Sequence, residues 1–158
     1  MNKCLVAQLV LSHGIAVGTG FAAGIYVLPL LVAPPSPTAD QVDAAASSAD
    51  FTGTFRRDLK GSDQFHWGEG VIHVGRQSVA FHGTLAPGPD YKLYFSPEFV
   101  ETEADFIRLK PKMIRIGDVK TFENFLVSIP ANVDPATYTT VVVWCESFSQ
   151  FITAARYR

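Results

Sequence analysis

The sequence predicts an all-β protein: an antiparallel sandwich or barrel of about eight short strands, preceded by one N-terminal transmembrane helix. Three observations carry this. Residues 4–33 contain no Lys, Arg, Asp or Glu. From Phe51 onward, short β-prone segments alternate with Gly- and Pro-rich turns. No stretch of that later region shows a clear helical apolar period. The composition agrees: 47% hydrophobic and 18% charged residues exclude a disordered charged chain. A formal net charge of −2 excludes a general nucleic-acid binder, because phosphate contacts need a Lys/Arg excess. Two cysteines exclude a disulfide scaffold.

The apolar segment comes first. Residues 14–33 are twenty uncharged residues. At ~1.5 Å rise per residue they span the ~30 Å hydrocarbon core of a bilayer. A secretory signal usually has a shorter apolar stretch ending at a small-x-small site. Here the run leaves through Pro29 and the Pro34-Pro35-Ser36-Pro37 segment, so residues 1–33 read as an uncleaved anchor. Cys4 precedes the apolar run, which argues against a lipoprotein. Lys3 lies before the span and no Lys or Arg follows it until Arg56. The positive-inside rule places the N-terminus in the cytoplasm and the rest in the periplasm or outside the cell. The expected location is the cell (inner) membrane, in a single pass. Ala16, Gly20 and Gly24 recur every fourth residue, a spacing that lets helices approach closely and dimerise. Glycine is also common in membrane helices without that role.

Residues 34–50 read as a Pro/Ala/Ser linker, with a short helical turn near Asp40 and no core face. The domain proper is 51–158. It carries 12 Lys/Arg, with Lys3 left aside, and 12 Asp/Glu, with Asp40, Asp43 and Asp50 left aside. Its seventeen aromatic residues suffice for one core, and it has no internal repeat. Expected strands cover 51–57, 70–74, 79–85, 91–96, 108–116, 122–129, 138–145 and 151–157. The second and third form a hairpin around Gly75-Arg76-Gln77-Ser78. Pro87-Gly88-Pro89-Asp90 is a turn. Pro111 makes 108–116 an edge strand. The segment Tyr138-Thr139-Thr140-Val141-Val142-Val143-Trp144-Cys145 has the strongest β propensity in the chain.

Several of these segments occur in a recognisable order. Gly88-Pro89-Asp90 runs into Tyr91-Lys92-Leu93-Tyr94-Phe95-Ser96, and Ile116-Gly117-Asp118-Val119-Lys120 follows. Ile129-Pro130 then leads through Val133-Asp134 and Tyr138 into Val141-Val142-Val143-Trp144-Cys145, with Phe148 and Phe151 beyond. This order resembles the DM-thirteen domain, a family described as an electron-transfer module. The resemblance covers nearly all of 51–158. Its most specific parts are the Gly-Pro-Asp turn and the Trp-Cys-x-x-Phe segment. It implies a redox role for Cys145, as a bare thiol or as the holder of a prosthetic group such as haem. Residues 122–126 depart from the family pattern, where a Gly/Gln-containing segment is more usual.

The residues also bear on function without the family. Cys145 is the only cysteine of an exported domain, so it is either hidden or used. Its reactive thiolate needs a nearby cation or donor, and the adjacent Glu146 would oppose ionisation if close. The structural alternative is a small hydrophobe at the end of a core strand. Metal or haem ligands would come from His66, His73, His82 and Met113. Pairing Val74 with Val79 puts His73 and His82 on one sheet face, diagonal to each other, opposite Ile72, Val74, Val79 and Phe81. That histidine face reads chiefly as solvated. No His or Met follows Cys145, which argues against blue copper. No Cys-x-x-Cys-His exists for covalent haem, and no zinc spacing is visible. No Gly-x-Ser-x-Gly is present. Asp90 reads as a turn residue whose carboxylate caps backbone N–H groups. The acids between Glu98 and Asp105 read as a loop paired with the basic Arg108–Lys112 stretch, or as a docking surface for a basic redox partner.

Two functions therefore stand. One is a membrane-anchored extracytoplasmic module for electron transfer or thiol redox chemistry through Cys145. The other is a non-enzymatic β-sandwich binding module with Cys145 as core filler. In both, the chain is a module more than a stand-alone enzyme. No metal site is expected, and no cofactor is required by the sequence.

Overall fold

The computed structural model describes residues 2–158. Helix α1 (Lys3–Val32) is one continuous helix of 30 residues. The side chain of Asn2 accepts from the Cys4 amide at its start. It stops before the Pro34-Pro35 pair, whose rings cannot continue a helix. It is long and apolar enough to cross a membrane. Most of its large apolar side chains are exposed, and only Pro29 is buried.

The β domain is a sandwich of two four-stranded antiparallel sheets. The first has the order β1-β2-β3-β6: β1 (Phe51–Phe55), β2 (Gly68–Val74), β3 (Ser78–Leu85) and β6 (Glu123–Ser128). The second has the order β5-β4-β7-β8: β4 (Tyr91–Ser96), β5 (Ile114–Val119), β7 (Thr140–Cys145) and β8 (Gln150–Arg156). At the sheet margins β1 lies against β8 and β5 against β6, so the sandwich is close to a flattened barrel. The β2–β3 register is the expected one: Val74 pairs with Val79, His73 with Ala80, and His82 with Val71. The alternation then buries Ile72, Val74, Val79 and Phe81 between the sheets and turns His82 outward.

Two clusters hold the domain. The first fills the space between the sheets and includes Phe55, Phe81, Leu93, Phe95 and Phe125. The second lies on the outer face of the second sheet, where Tyr94, Val142, Trp144 and Phe151 meet Leu59, Val100, Phe106 and Leu109. Every residue of β7 is therefore buried. This explains its unbroken apolar run, since a strand covered on both faces has no reason to alternate.

Two segments differ from the sequence expectation. The strand expected at 108–116 begins only at Ile114, and helix α3 (Glu103–Leu109) with a 3₁₀ turn (Lys110–Lys112) precedes it. Thr102 caps α3 by accepting from the Asp105 amide at 3.2 Å. Glu103 and Asp105 sit in its first turn and Arg108 in its last, as the helix dipole favours. Phe106 and Leu109, three residues apart, supply its buried side. With fewer than two such turns, the period is too short to stand out. The second difference is in 34–50. Helix α2 (Ala39–Ala46) has a complete Thr38–Gln41 capping box, and Val42 is fully buried against β3 and β6. This segment does have a core face.

Candidate functional site

The site is built at the end of the sandwich nearest α1. Cys145 is the last residue of β7 and pairs with Tyr91 of β4 on one side and Gln150 of β8 on the other. Its side chain is inward, with 3% of the residue exposed. It nevertheless lines a cavity of about 460 Å³. The other walls come from Tyr26 and Ile25 of α1, from Phe65 and His66, and from Phe148. Pro87, Gly88 and Pro89 close one side.

The turn has a definite structural job. The Tyr91 hydroxyl donates to the Ala86 carbonyl at 2.9 Å, and the ring lies directly over Gly88. A Cβ at residue 88 would collide with that ring, so the glycine is required by close approach. Asp90 does not cap its own turn, contrary to expectation. Its carboxylate takes Lys92 Nζ at 2.6 Å and the Ser147 hydroxyl at 2.9 Å. It thereby ties the β3–β4 turn to the β7–β8 turn. The Lys92 hydrogen bond holds its carboxyl below the usual carboxylate range.

The Cys145 thiol is pushed up, chiefly by burial. Hydrogen bonding from the backbone of Phe148, Asp90 and Ser147 offsets part of that. Glu146 takes no part in it. It points to the outer face of the sheet, where Lys110 Nζ reaches its two carboxylate oxygens at 2.8 and 3.0 Å and the Tyr94 hydroxyl donates to it. Alternation along the strand separates these two neighbours.

Of the four candidate ligands, one reaches Cys145's cavity. His66 lines it, with Nδ1 2.9 Å from an Asp63 carboxylate oxygen. The other Asp63 oxygen accepts from the amides of Phe65 and His66 at 2.7 and 2.8 Å. This turn fixes the imidazole in place. Burial pushes the Asp63 carboxyl up, but these hydrogen bonds outweigh it and hold the group low. His73 and His82 lie elsewhere: His73 approaches Thr52 at 3.4 Å and His82 approaches Asp43 at 4.0 Å. Met113 packs on the outer cluster. Among the described residues no group of three or more His, Cys, Asp or Glu side chains is placed to hold a metal ion. Three acids of the 98–105 stretch are paired within the domain: Glu98 and Asp105 with Arg108, and Glu101 with Lys60.

A family profile described as electron transfer DM13 matches residues 54–157. The chain belongs to the electron transfer DM13 family. No curated protein and no solved structure matches it. The match runs from β1 through β8 and so takes in the whole sandwich, including Cys145 and the Gly88-Pro89-Asp90 turn. Haem, one of the groups the resemblance suggested for this DM13 domain, does not suit the cavity. No Lys or Arg lines it to meet the haem carboxylates. Burial also opposes the thiolate that would ligate iron.

His66 had no sequence signal that set it apart from His73 and His82. The Asp63-x-x-His66 spacing is the one local hint, because a carboxylate three residues back can both close a turn and bind the ring. Tyr91 and Gln150 become site residues only through strand pairing.

Proposed function

We propose that this DM13 chain is a membrane-anchored, extracytoplasmic electron-transfer module that works through the thiol of Cys145. One observation carries the proposal: Cys145 and His66, 79 positions apart in the sequence, line the same cavity. A buried thiol cannot lose an electron alone without leaving a charge in an apolar site. The S–H bond must break with it: the electron goes to a one-electron partner protein and the proton to a base. His66 is the base at hand. With Nδ1–H donating to Asp63, its Nε2 carries the free lone pair. Family membership supports the electron-transfer role, and α1 supports the anchor through its length and apolar composition.

A redox titration of the full-length protein in detergent tests this, read by thiol labelling and visible absorbance beside Cys145→Ser. The expected result is a reversible event that the substitution removes. If wild type and variant respond identically, the proposal fails. The second reading, a binding module with Cys145 as core filler, would then hold; the thiol's 3% exposure and raised pKa speak for it. Retention in the membrane pellet after an alkaline wash, lost when residues 2–33 are deleted, tests the anchor.

A further inference from the structure

The Cys145 cavity does not end at the domain. It continues into an apolar groove along α1, lined by Gly20, Phe21, Gly24, Leu28 and Pro29, and the two spaces share Ile25, Pro89 and Phe148. We propose that cavity and groove together bind a membrane-borne quinol or quinone, with the ring in the cavity and the hydrocarbon tail in the groove. The choice of head group rests on the electron-transfer reading above; the tail groove does not.

Size and polarity set the class of ligand. About 460 Å³ is within the usual range for small-molecule sites. Neither the cavity nor the groove has a Lys or Arg in its walls. A phosphate or carboxylate head would enter without a countercharge, so an uncharged head fits better. Aromatic rings of Tyr26, Phe65, Tyr91 and Phe148 line the cavity, and they suit a flat ring. His66 supplies the polar contact. In its neutral form Nε2 accepts from a quinol hydroxyl, and in its charged form Nε2–H donates to a quinone carbonyl. One side chain can therefore hold either oxidation state.

Position sets the tail and the route. A 30-residue helix is ~45 Å long, about 15 Å more than the hydrocarbon core needs. With residues 3–22 of the helix in the hydrocarbon core, in place of the 14–33 run, the end of α1 that packs on the domain stands at the outer boundary of the bilayer, where a lipid-soluble molecule can enter sideways. A Cβ built at Gly20 or Gly24 would meet no atom within 4 Å. There is room for a chain of methylenes beside the helix. Phe148 is 54% exposed and stands where cavity and groove meet.

The test uses the full chain in lipid nanodiscs, with decylubiquinone and its tail-less ring, 2,3-dimethoxy-5-methyl-1,4-benzoquinone, as probes. Binding is followed by quenching of Trp67 and Trp144 emission. Wild type is expected to show saturable quenching by both probes. His66→Leu weakens both by about tenfold, and His66→Gln, which keeps a polar partner, recovers part of the loss. Gly24→Leu, which fills the groove, weakens the tailed probe by about tenfold and leaves the tail-less ring unchanged. His82→Leu, on the outer sheet face, changes neither. Unsaturable quenching that is the same in every variant, or wild-type affinity for both probes in His66→Leu and Gly24→Leu, would overturn the site. Saturable binding by a protein with no Cys145-dependent redox event would sink the electron-transfer reading and keep the site. A Cys145-dependent event without saturable quinone binding would do the reverse.

Discussion

On the outer face of the second sheet, Trp144 stacks on Phe106 with ring centres 3.9 Å apart and planes 7° from parallel. Glu146, on the same side of β7, is met by Lys110 and Tyr94. On the inner face Cys145 is just as deeply buried, yet it borders a cavity and has no charged partner in hydrogen-bond contact. Adjacent residues of one strand thus reach opposite solutions. The outer face is packed solid and its charges are neutralised locally, so it serves stability. The inner end is left with space, in a cavity lined by both a buried thiol and an anchored imidazole. A packed interior normally removes such spaces, and a domain that keeps one gives up packing there.

The comparison is most open to attack on its stable side. Trp144→Ala removes a buried ring and its stacking on Phe106, and is expected to cost about 3–5 kcal/mol in urea unfolding of the full chain in mild detergent. A loss below 1 kcal/mol would mean the outer cluster is not a rigid support. Gly88→Ala comes next. Its methyl group must displace Tyr91, at about 1–3 kcal/mol, and the cavity should shrink with it. Both unfolding midpoint and probe binding would register the change.

A pH series separates the two ends more finely. The Asp90 carboxyl is held below its ordinary value in the folded state. Its contribution is therefore complete above the ordinary carboxylate value of 3.8 and is lost as pH falls through the lowered one. Between pH 6 and pH 3 the wild-type unfolding midpoint should drop further than that of Asp90→Asn. Parallel curves would show that the Lys92 and Ser147 contacts do not matter. The Cys145 thiol shifts the other way. In a Cys4→Ser background its labelling by iodoacetamide should be slow at pH 7 and still be rising past pH 9, because burial disfavours the thiolate. Fast labelling at neutral pH would mean that the cavity opens to water. The smallest effect belongs to His73→Ala and His82→Ala on the outer face of the first sheet, each within about 0.5 kcal/mol of wild type.

Much of the fold was legible beforehand because its signals are local. The β2–β3 hairpin follows from Gly75 to Ser78 and the flanking alternation, and its register is the one that buries Ile72 and Phe81. The Trp-Cys segment reads as a strand because Thr140 to Val143 are all β-branched and an aromatic follows. Helix α3 was missed because two buried residues make no visible period. The cover over Val42 was missed because a short helix gains its apolar partner only from β3 and β6.

The sequence alone determined the long apolar N-terminal helix, the all-β class, the DM13 resemblance and Cys145 as the residue to watch. These rest on composition and on patterns within about ten residues, which burial and backbone sterics read directly. Tertiary structure alone decided that His66, and not His73 or His82, lines the cavity with Cys145. It also decided that Glu146 is turned away from the thiol and that the cavity runs on along α1. Those facts depend on strand order and on how the sheets close, which join residues dozens of positions apart. No short-range pattern specifies such a meeting, because its free energy comes from contacts that exist only after the sheets have packed.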